Sequence, residues 1–130
     1  MTKNKANYVD GYVFLVPRKN VNAYIKLAEE ANKTWMKCGA LEYKECMADD
    51  LKTASMDGES GLSFKDLTRA KKDETIWFSF ITYKSRADRD QVNKKVMAEM
   101  NKQTEKFKAF KMPFDMKKMA YAGFKVRVSG

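Results

Sequence analysis

Histidine is absent from this 130-residue chain, and cysteine and proline each occur only twice. Without an imidazole, Ser-His-Asp and Cys-His catalysis, a haem-proximal histidine and the common zinc sites are excluded. Glycine-rich phosphate loops are missing too, since neither GxGxxG nor GxxxxGK[ST] occurs. The acidic residues near position 50, Asp49, Asp50, Asp57 and Glu59, do not have the spacing of a calcium-binding loop. We therefore expect neither a cofactor nor a metal.

Long hydrophobic segments are also lacking. The longest apolar runs, such as residues 12–17, are far shorter than the roughly 20 residues of a membrane span. The N-terminal residues contain lysines but no hydrophobic stretch typical of a secretory signal. Cys38 and Cys46 have no C-x-x-C spacing, which favours reduced, packed thiols. These features predict a cytoplasmic protein without a membrane partner.

The apolar pattern predicts the order strand, helix, strand, and then the same order again. Gly39 and Ser85 are well placed to cap the first helix at its end and the second at its start. The predicted strands are Tyr8–Val16, Ala40–Met47, Thr75–Tyr83 and Met119–Val128. The predicted helices are Asn20–Cys38 and a segment that starts at Ser85. The segment Gln103–Lys111 continues this second helix or forms another short one. We expect a flexible tail at 1–7, one domain at 8–130, and a long loop at about 49–74.

This order, with right-handed crossovers, predicts an α+β ferredoxin-like βαββαβ plait, a four-stranded antiparallel sheet with helices on one face. Both faces of the strands are apolar, because Val9 and Val13 alternate with Tyr8 and Tyr12 along the first strand. Helices in this order cover only one face. The other face would expose more apolar surface than monomers usually tolerate. We expect a second copy of the chain to cover it, giving a homodimer.

Polar side chains within the strands are the candidate pocket residues. Asp10 lies in mid-strand on the tyrosine-bearing face, where a carboxylate needs a hydrogen-bonding partner or solvent. It fits a pocket acid, or a structural partner for a tyrosine hydroxyl or for an arginine across the dimer. The candidate pocket residues are Asp10, Tyr12, Glu45, Tyr83 and Tyr121. They suggest binding or transformation of a small organic molecule, with a hydrophobic acidic or phenolic ligand expected. No catalytic residue is assigned.

The alternative is an RNA-binding module. The whole net charge of +9 lies in residues 65–130, and a basic field of this kind favours acidic partners. The string FSFITY is similar to the second half of an RNA-stacking motif, although the basic residue and glycine that open this motif are missing. The candidate basic surface consists of Arg86, Arg89, Lys94 and Lys95. A lysine-rich, solvated helix face is the simpler interpretation of the same charges.

Four strings that together span nearly the whole chain resemble the YbaA-like bacterial family of unknown function: YVDGYV (8–13), GALEYKEC (39–46), YKSRADRDQVNKKVM (83–97) and MPFDMKKMAYAGF (112–124). This family is similar in fold to the dimeric α/β barrels, a superfamily that includes small cofactor-free monooxygenases. The resemblance implies a ferredoxin-like subunit whose sheets pair in a dimer. The chain departs from the usual pattern at Phe80, where tryptophan is usual, and at Met116, where glycine is usual. The resemblance carries over no catalytic residue.

Overall fold

The computed structural model describes residues 5–52, 55–56, 59–102 and 112–130 of an α+β protein. Its strands are β1 (Tyr8–Pro17), β2 (Glu42–Met47), β3 (Ser55–Met56), β4 (Glu59–Ser60), β5 (Glu74–Tyr83) and β6 (Ala120–Lys125), and its helices are α1 (Val21–Cys38), α2 (Phe64–Thr68) and α3 (Arg86–Lys102). Single 3-10 turns lie at Arg18–Asn20 and Met116–Lys118. The predicted segment Gln103–Lys111, Asp57 and the first four residues of the predicted tail lie outside the described residues.

Four strands form one antiparallel sheet in the order β2-β5-β1-β6. Tyr12 of β1 is opposite Ser79 of β5 on one side and Tyr121 of β6 on the other. Glu45 of β2 is opposite the same Ser79. The short strands β3 and β4 pair only with each other. The predicted α+β class and four-stranded antiparallel sheet are therefore confirmed.

The long helices pack on the face of the sheet that carries the even-numbered residues of β1. Tyr24 and Ala28 of α1 form one apolar cluster with Phe14 of β1 and Trp77 of β5. A second cluster joins α3 to the far end of the same strands; its buried members are Tyr8, Cys38, Ala40, Ile81, Tyr83, Val92 and Val96. We call this side of the sheet the helix-covered face.

Local signals explain where the long helices begin and end. Gly39 adopts a φ of 119°, and this left-handed conformation, which glycine tolerates best, ends α1. The Oγ of Ser85 accepts a hydrogen bond from the amide of Asp88 at 3.1 Å, which caps the start of α3. The predicted helix caps are confirmed. None of the described helices is long and apolar enough to cross a membrane.

The opposite side of the sheet, the open face, carries exposed aromatic side chains. Phe78 of β5 is 47% exposed and Phe124 of β6 is 56% exposed. Leu15 and Ile76 on this side are buried, and α2 contacts β1 and β5. Phe64 and Leu67 of α2 are themselves about half exposed. The open face is therefore apolar and uncovered mainly around Phe78 and Phe124.

Candidate functional site

A row of polar side chains crosses the sheet on its helix-covered face. Glu45, Ser79, Tyr12 and Tyr121 are in register on β2, β5, β1 and β6. The apolar clusters lie on either side of this polar row, and Tyr12 packs against both. The five pocket residues predicted from the sequence all lie on this face, because alternation places them on the same side as Tyr12.

Glu45 is the carboxylate of the polar row, and both of its oxygens accept hydrogen bonds. Its Oε1 accepts hydrogen bonds from the hydroxyls of Tyr24, at 2.8 Å, and Ser79. Its Oε2 accepts a hydrogen bond from the hydroxyl of Tyr43 at 2.6 Å. Burial, followed by the negative charge of Glu45, raises the pKa of both tyrosines, so they remain hydrogen-bond donors at neutral pH. Three neutral donors therefore hold the Glu45 carboxylate in place.

A cleft of about 410 Å³ opens beside Glu45, between α1 and the β2 edge of the sheet. Apolar and aromatic side chains, including Trp77 and Met47, form most of its wall. Its full lining is Ile25, Ala28, Glu29, Asn32, Tyr43, Glu45, Met47 and Trp77. Of the five predicted pocket residues, only Glu45 lines this cleft. The cleft contains no lysine or arginine among the described residues.

Asp10 belongs to a second polar cluster on the same face. Its side chain is completely buried, and its Oδ1 accepts a hydrogen bond from Nη1 of Arg89 at 3.0 Å. Arg89 also donates to the hydroxyl of Tyr121 at 2.9 Å and lies over the ring of Tyr8, 5.0 Å from its centroid. Burial raises the pKa of the Asp10 carboxyl, and the charge of Arg89 opposes this rise. Within the subunit, Asp10 is therefore paired with an arginine of the same chain.

The remaining predicted pocket residues surround this ion pair. Tyr12 stacks on Tyr121 with ring centroids 4.9 Å apart. Tyr83 is completely buried, and burial is the main reason why its pKa is raised. Asp10 and Tyr83 are closed off from solvent and do not line the cleft. The structure therefore divides the predicted pocket into a cluster around the enclosed Asp10, which includes the half-exposed Tyr121, and an accessible site at Glu45.

The predicted basic surface is also divided. Arg86, Lys94 and Lys95 are exposed on α3, whereas the side chain of Arg89 is only 14% exposed because it pairs with Asp10. Helix α3 lies on the opposite side of the sheet from Phe78. The described residues contain no group of three or more histidine, cysteine or acidic side chains able to hold a metal ion. Cys38 is buried but Cys46 is exposed, so the expectation that both thiols are packed was wrong for Cys46.

Sequence reasoning missed Tyr24 and Ser79 as partners of Glu45. Tyr24 belongs to the apolar stripe of α1, where an aromatic ring is typical of core packing. Ser79 interrupts the run of aromatic residues Trp77, Phe78 and Phe80 in β5, and this break in the pattern was the available signal. Arg89 and Asp10 are 79 positions apart in the sequence, so no local pattern predicts their contact.

Gly123 lies where the ring of Tyr8 approaches the backbone of β6. A Cβ at this position would meet Cε2 and Cζ of Tyr8 at 3.0 Å, and Tyr8 cannot move freely because Arg89 lies over its ring. We expect Gly123→Ala to lower the free energy of unfolding by about 1–3 kcal/mol. Urea denaturation measures this effect. Ala122→Ser, on the neighbouring residue that faces the open side, is the control; an equal loss there would contradict the steric explanation.

The fold and the site define a class: an α+β protein in which an antiparallel sheet carries helices on one face and a carboxylate-bearing cleft beneath one of them. Residues 7–116 match the family described as "Protein of unknown function (DUF1428)", and the chain belongs to this family. It is 35% identical over 119 residues to the "Uncharacterized protein YbaA" of Escherichia coli strain K12, covering 90% of this chain and 93% of that protein. The proteins of the same description from Escherichia coli O157:H7 and Shigella flexneri match with the same identity and coverage. The predicted YbaA-like family is confirmed.

Proposed function

We propose that the protein binds a small organic molecule in the cleft beside Glu45. The observation that carries this proposal is the placement of Glu45, which is oriented by three hydroxyl donors and still lines an accessible cleft. An apolar wall with few, well-oriented polar groups is typical of small-molecule sites. A preorganised carboxylate gives such a ligand a fixed point of attachment.

The proposal includes the architecture of the assembly. The strand order β2-β5-β1-β6 with crossovers through α1 and α3 supports a ferredoxin-like plait in one domain over residues 8–130. The exposed Phe78 and Phe124 support pairing of two open faces in a cytoplasmic homodimer, in the manner of a dimeric α/β barrel. In this arrangement the two faces of the sheet have different tasks. The helix-covered face holds the ligand, and the open face holds the partner subunit.

Any reaction in the cleft would depend on few groups. Glu29, Tyr43 and Glu45 are its titratable lining residues, and Glu45 is the one fixed by hydrogen bonds from three directions. A carboxylate in this position acts as a hydrogen-bond acceptor, and it acts as a proton acceptor when a substrate offers an acidic C–H or N–H within reach. We propose binding at this site and no particular reaction.

A thermal-shift screen of a metabolite library tests the binding proposal. Ile25 lines the cleft and is 39% exposed, so Ile25→Trp fills the cleft without disturbing the core. We expect compounds that raise the melting temperature of the wild-type protein to lose this effect in Ile25→Trp. Met97→Trp, on the exposed side of α3, is the matched control and should retain the shifts. Shifts that persist in Ile25→Trp, or a library without any active compound, would contradict the proposal.

RNA binding is the alternative function, favoured by one observation, the pair formed by the exposed Phe78 and the partly buried Phe80, with ring centroids 5.8 Å apart. These rings lie on the open face, whereas Arg86, Lys94 and Lys95 lie on α3 beyond the other face. Rings and cations on opposite sides of a sheet do not form one continuous binding surface. Titration with single-stranded RNA at two salt concentrations decides this point, because binding through phosphates weakens steeply with salt.

A further inference from the structure

Two carboxylates on the helix-covered face differ in how their charges are matched. Asp10 has its own cation, because Nη1 of Arg89 lies 3.0 Å from its Oδ1. Glu45 forms no ion pair with any residue that the structure describes, and its three partners are neutral hydroxyls. Carboxylates withdrawn from water are usually paired with a cation or coordinate one. The described part of the chain supplies a cation at Asp10 and none at Glu45.

The hydrogen bonds of Glu45 show where a ligand would bind. A carboxylate oxygen has two lone-pair sites, and both sites of Oε1 are occupied, by Tyr24 and Ser79. Among the described residues, Oε2 accepts from Tyr43 alone, which leaves it one free site. Tyr24 and Ser79 do not line the cleft, whereas Tyr43 does. The free site of Glu45 therefore lies on the oxygen whose partner, Tyr43, also lines the cleft.

The walls of the cleft favour the same charge. Its charged lining residues, Glu29 and Glu45, are both acidic. Trp77 and Tyr43 present aromatic rings, which attract cations through their negative faces. Ile25 and Met47 provide apolar surface for the remainder of a ligand. An anionic ligand would be repelled here, and a neutral one would leave the charge of Glu45 unmatched.

We propose that the ligand of this cleft is a protonated amine with an apolar or aromatic body, which donates one N–H hydrogen bond to Oε2 of Glu45. This inference rests on the proposed function and adds the chemical class of the ligand. It differs from the hydrophobic acidic or phenolic ligand that the sequence suggested, because the cleft contains two carboxylates and no cation among the described residues. A single free acceptor site fits one ammonium N–H better than the paired donors of a guanidinium group.

Calorimetric titration with three probes of similar shape tests the ligand class: 2-phenylethylammonium, 2-phenylethanol and 3-phenylpropionate. We expect only the ammonium probe to bind. Glu45→Gln should weaken its binding by about 10- to 100-fold, as expected for a lost charge-assisted hydrogen bond. The proposal is overturned if the alcohol or the carboxylate probe binds as tightly as the ammonium probe. It is also overturned if Glu45→Gln leaves the affinity for the ammonium probe unchanged, or if the ammonium probe does not bind the wild-type protein at millimolar concentration.

A second test needs no ligand. Met47 is two residues from Glu45 on β2, lines the cleft and is 49% exposed. Met47→Lys therefore places an ammonium group of the chain itself beside Glu45. We expect it to melt about 2–4 °C above the matched Met47→Gln variant and to bind 2-phenylethylammonium more weakly than Met47→Gln does, because its own ammonium group competes for Glu45. If Met47→Lys melts no higher than Met47→Gln, a cation beside Glu45 does not stabilise the protein, and this result would contradict the proposal.

The two proposals can fail separately. Binding of the alcohol or carboxylate probe that disappears in Ile25→Trp would leave the cleft as a binding site and refute only the amine. If no library compound and no probe loses its effect in Ile25→Trp, the cleft is not the binding site and both proposals fail.

Discussion

Replacing Arg89 with methionine is expected to lower the free energy of unfolding at neutral pH by about 3–5 kcal/mol, the usual cost of leaving one partner of a buried ion pair alone. Asp10 is completely buried, and Arg89 is its cation. Removing Arg89 leaves the Asp10 charge in a site that has little access to water. Urea denaturation at a fixed protein concentration measures the loss.

The pH dependence of this loss has a definite sign. Burial raises the pKa of Asp10 above its ordinary value of 3.8, and Arg89 opposes this rise. Without Arg89 the folded-state pKa rises further. A folded-state pKa above that of the unfolded chain means that the folded protein takes up the proton first, so acidification favours folding through this group. The cost of Arg89→Met should therefore shrink as the pH falls towards 3.8.

Two further variants separate charge from packing. Asp10→Asn combined with Arg89→Met should recover most of the lost stability, because no charge then remains buried without a partner. Arg86→Met, an exposed position on the same helix, should change the free energy of unfolding by less than about 0.5 kcal/mol. A loss at Arg89 that neither the double variant nor acidification reduces would show that the arginine acts through packing alone.

Replacing Phe78 with lysine is expected to convert the proposed homodimer into a monomer. Phe78 is 47% exposed in the subunit, with Phe80 beside it, and both lie on the open face proposed as the subunit interface. A lysine there would have to bury its charge, which costs at least about 2 kcal/mol, or about 30-fold in the dissociation constant, at a central interface position. Light scattering should give a mass near twice 15.0 kDa for the wild type and near 15.0 kDa for the variant.

Met97→Lys is the matched control for this experiment. Met97 is 57% exposed on α3, on the other side of the molecule, so the variant should remain a dimer. Cys46 gives an independent measurement, since it is exposed in the subunit, opposite Phe78, whereas Cys38 is buried. A thiol reagent should modify Cys46 faster in the Phe78→Lys monomer. A wild-type protein that is monomeric at all concentrations would contradict the interface.

The sheet could be predicted from the sequence because its signals are local. Alternation of side chains along a strand assigned Asp10 and Tyr12 to one face and Val9 and Val13 to the other, and the register agrees. The cap at Gly39 depends on a conformation that glycine adopts readily, so it too can be read from one residue.

The site could be predicted only in part, because its contacts join distant segments. Both faces of β1 and β5 are apolar, so the residue pattern does not indicate which face the helices cover. The five predicted pocket residues share the helix-covered face, but packing depth separates them, and only Glu45 reaches the cleft. In the sequence, Arg89 looks like the exposed basic residues near it. Its pairing with Asp10 follows from the packing of α3 against β1, which the sequence does not show.

Fluorescence of Trp77 tests the central claim, that ligands bind in the cleft beside Glu45, most directly. The chain has two tryptophans, and Trp35→Phe leaves Trp77, which lines the cleft, as the only indole. Compounds that raise the melting temperature should change the emission of Trp77 saturably over the same concentration range. They should fail to do so after Ile25→Phe, which places a bulkier ring in the cleft without adding an indole. Compounds that stabilise the protein while the emission of Trp77 stays constant would bind elsewhere and contradict the account.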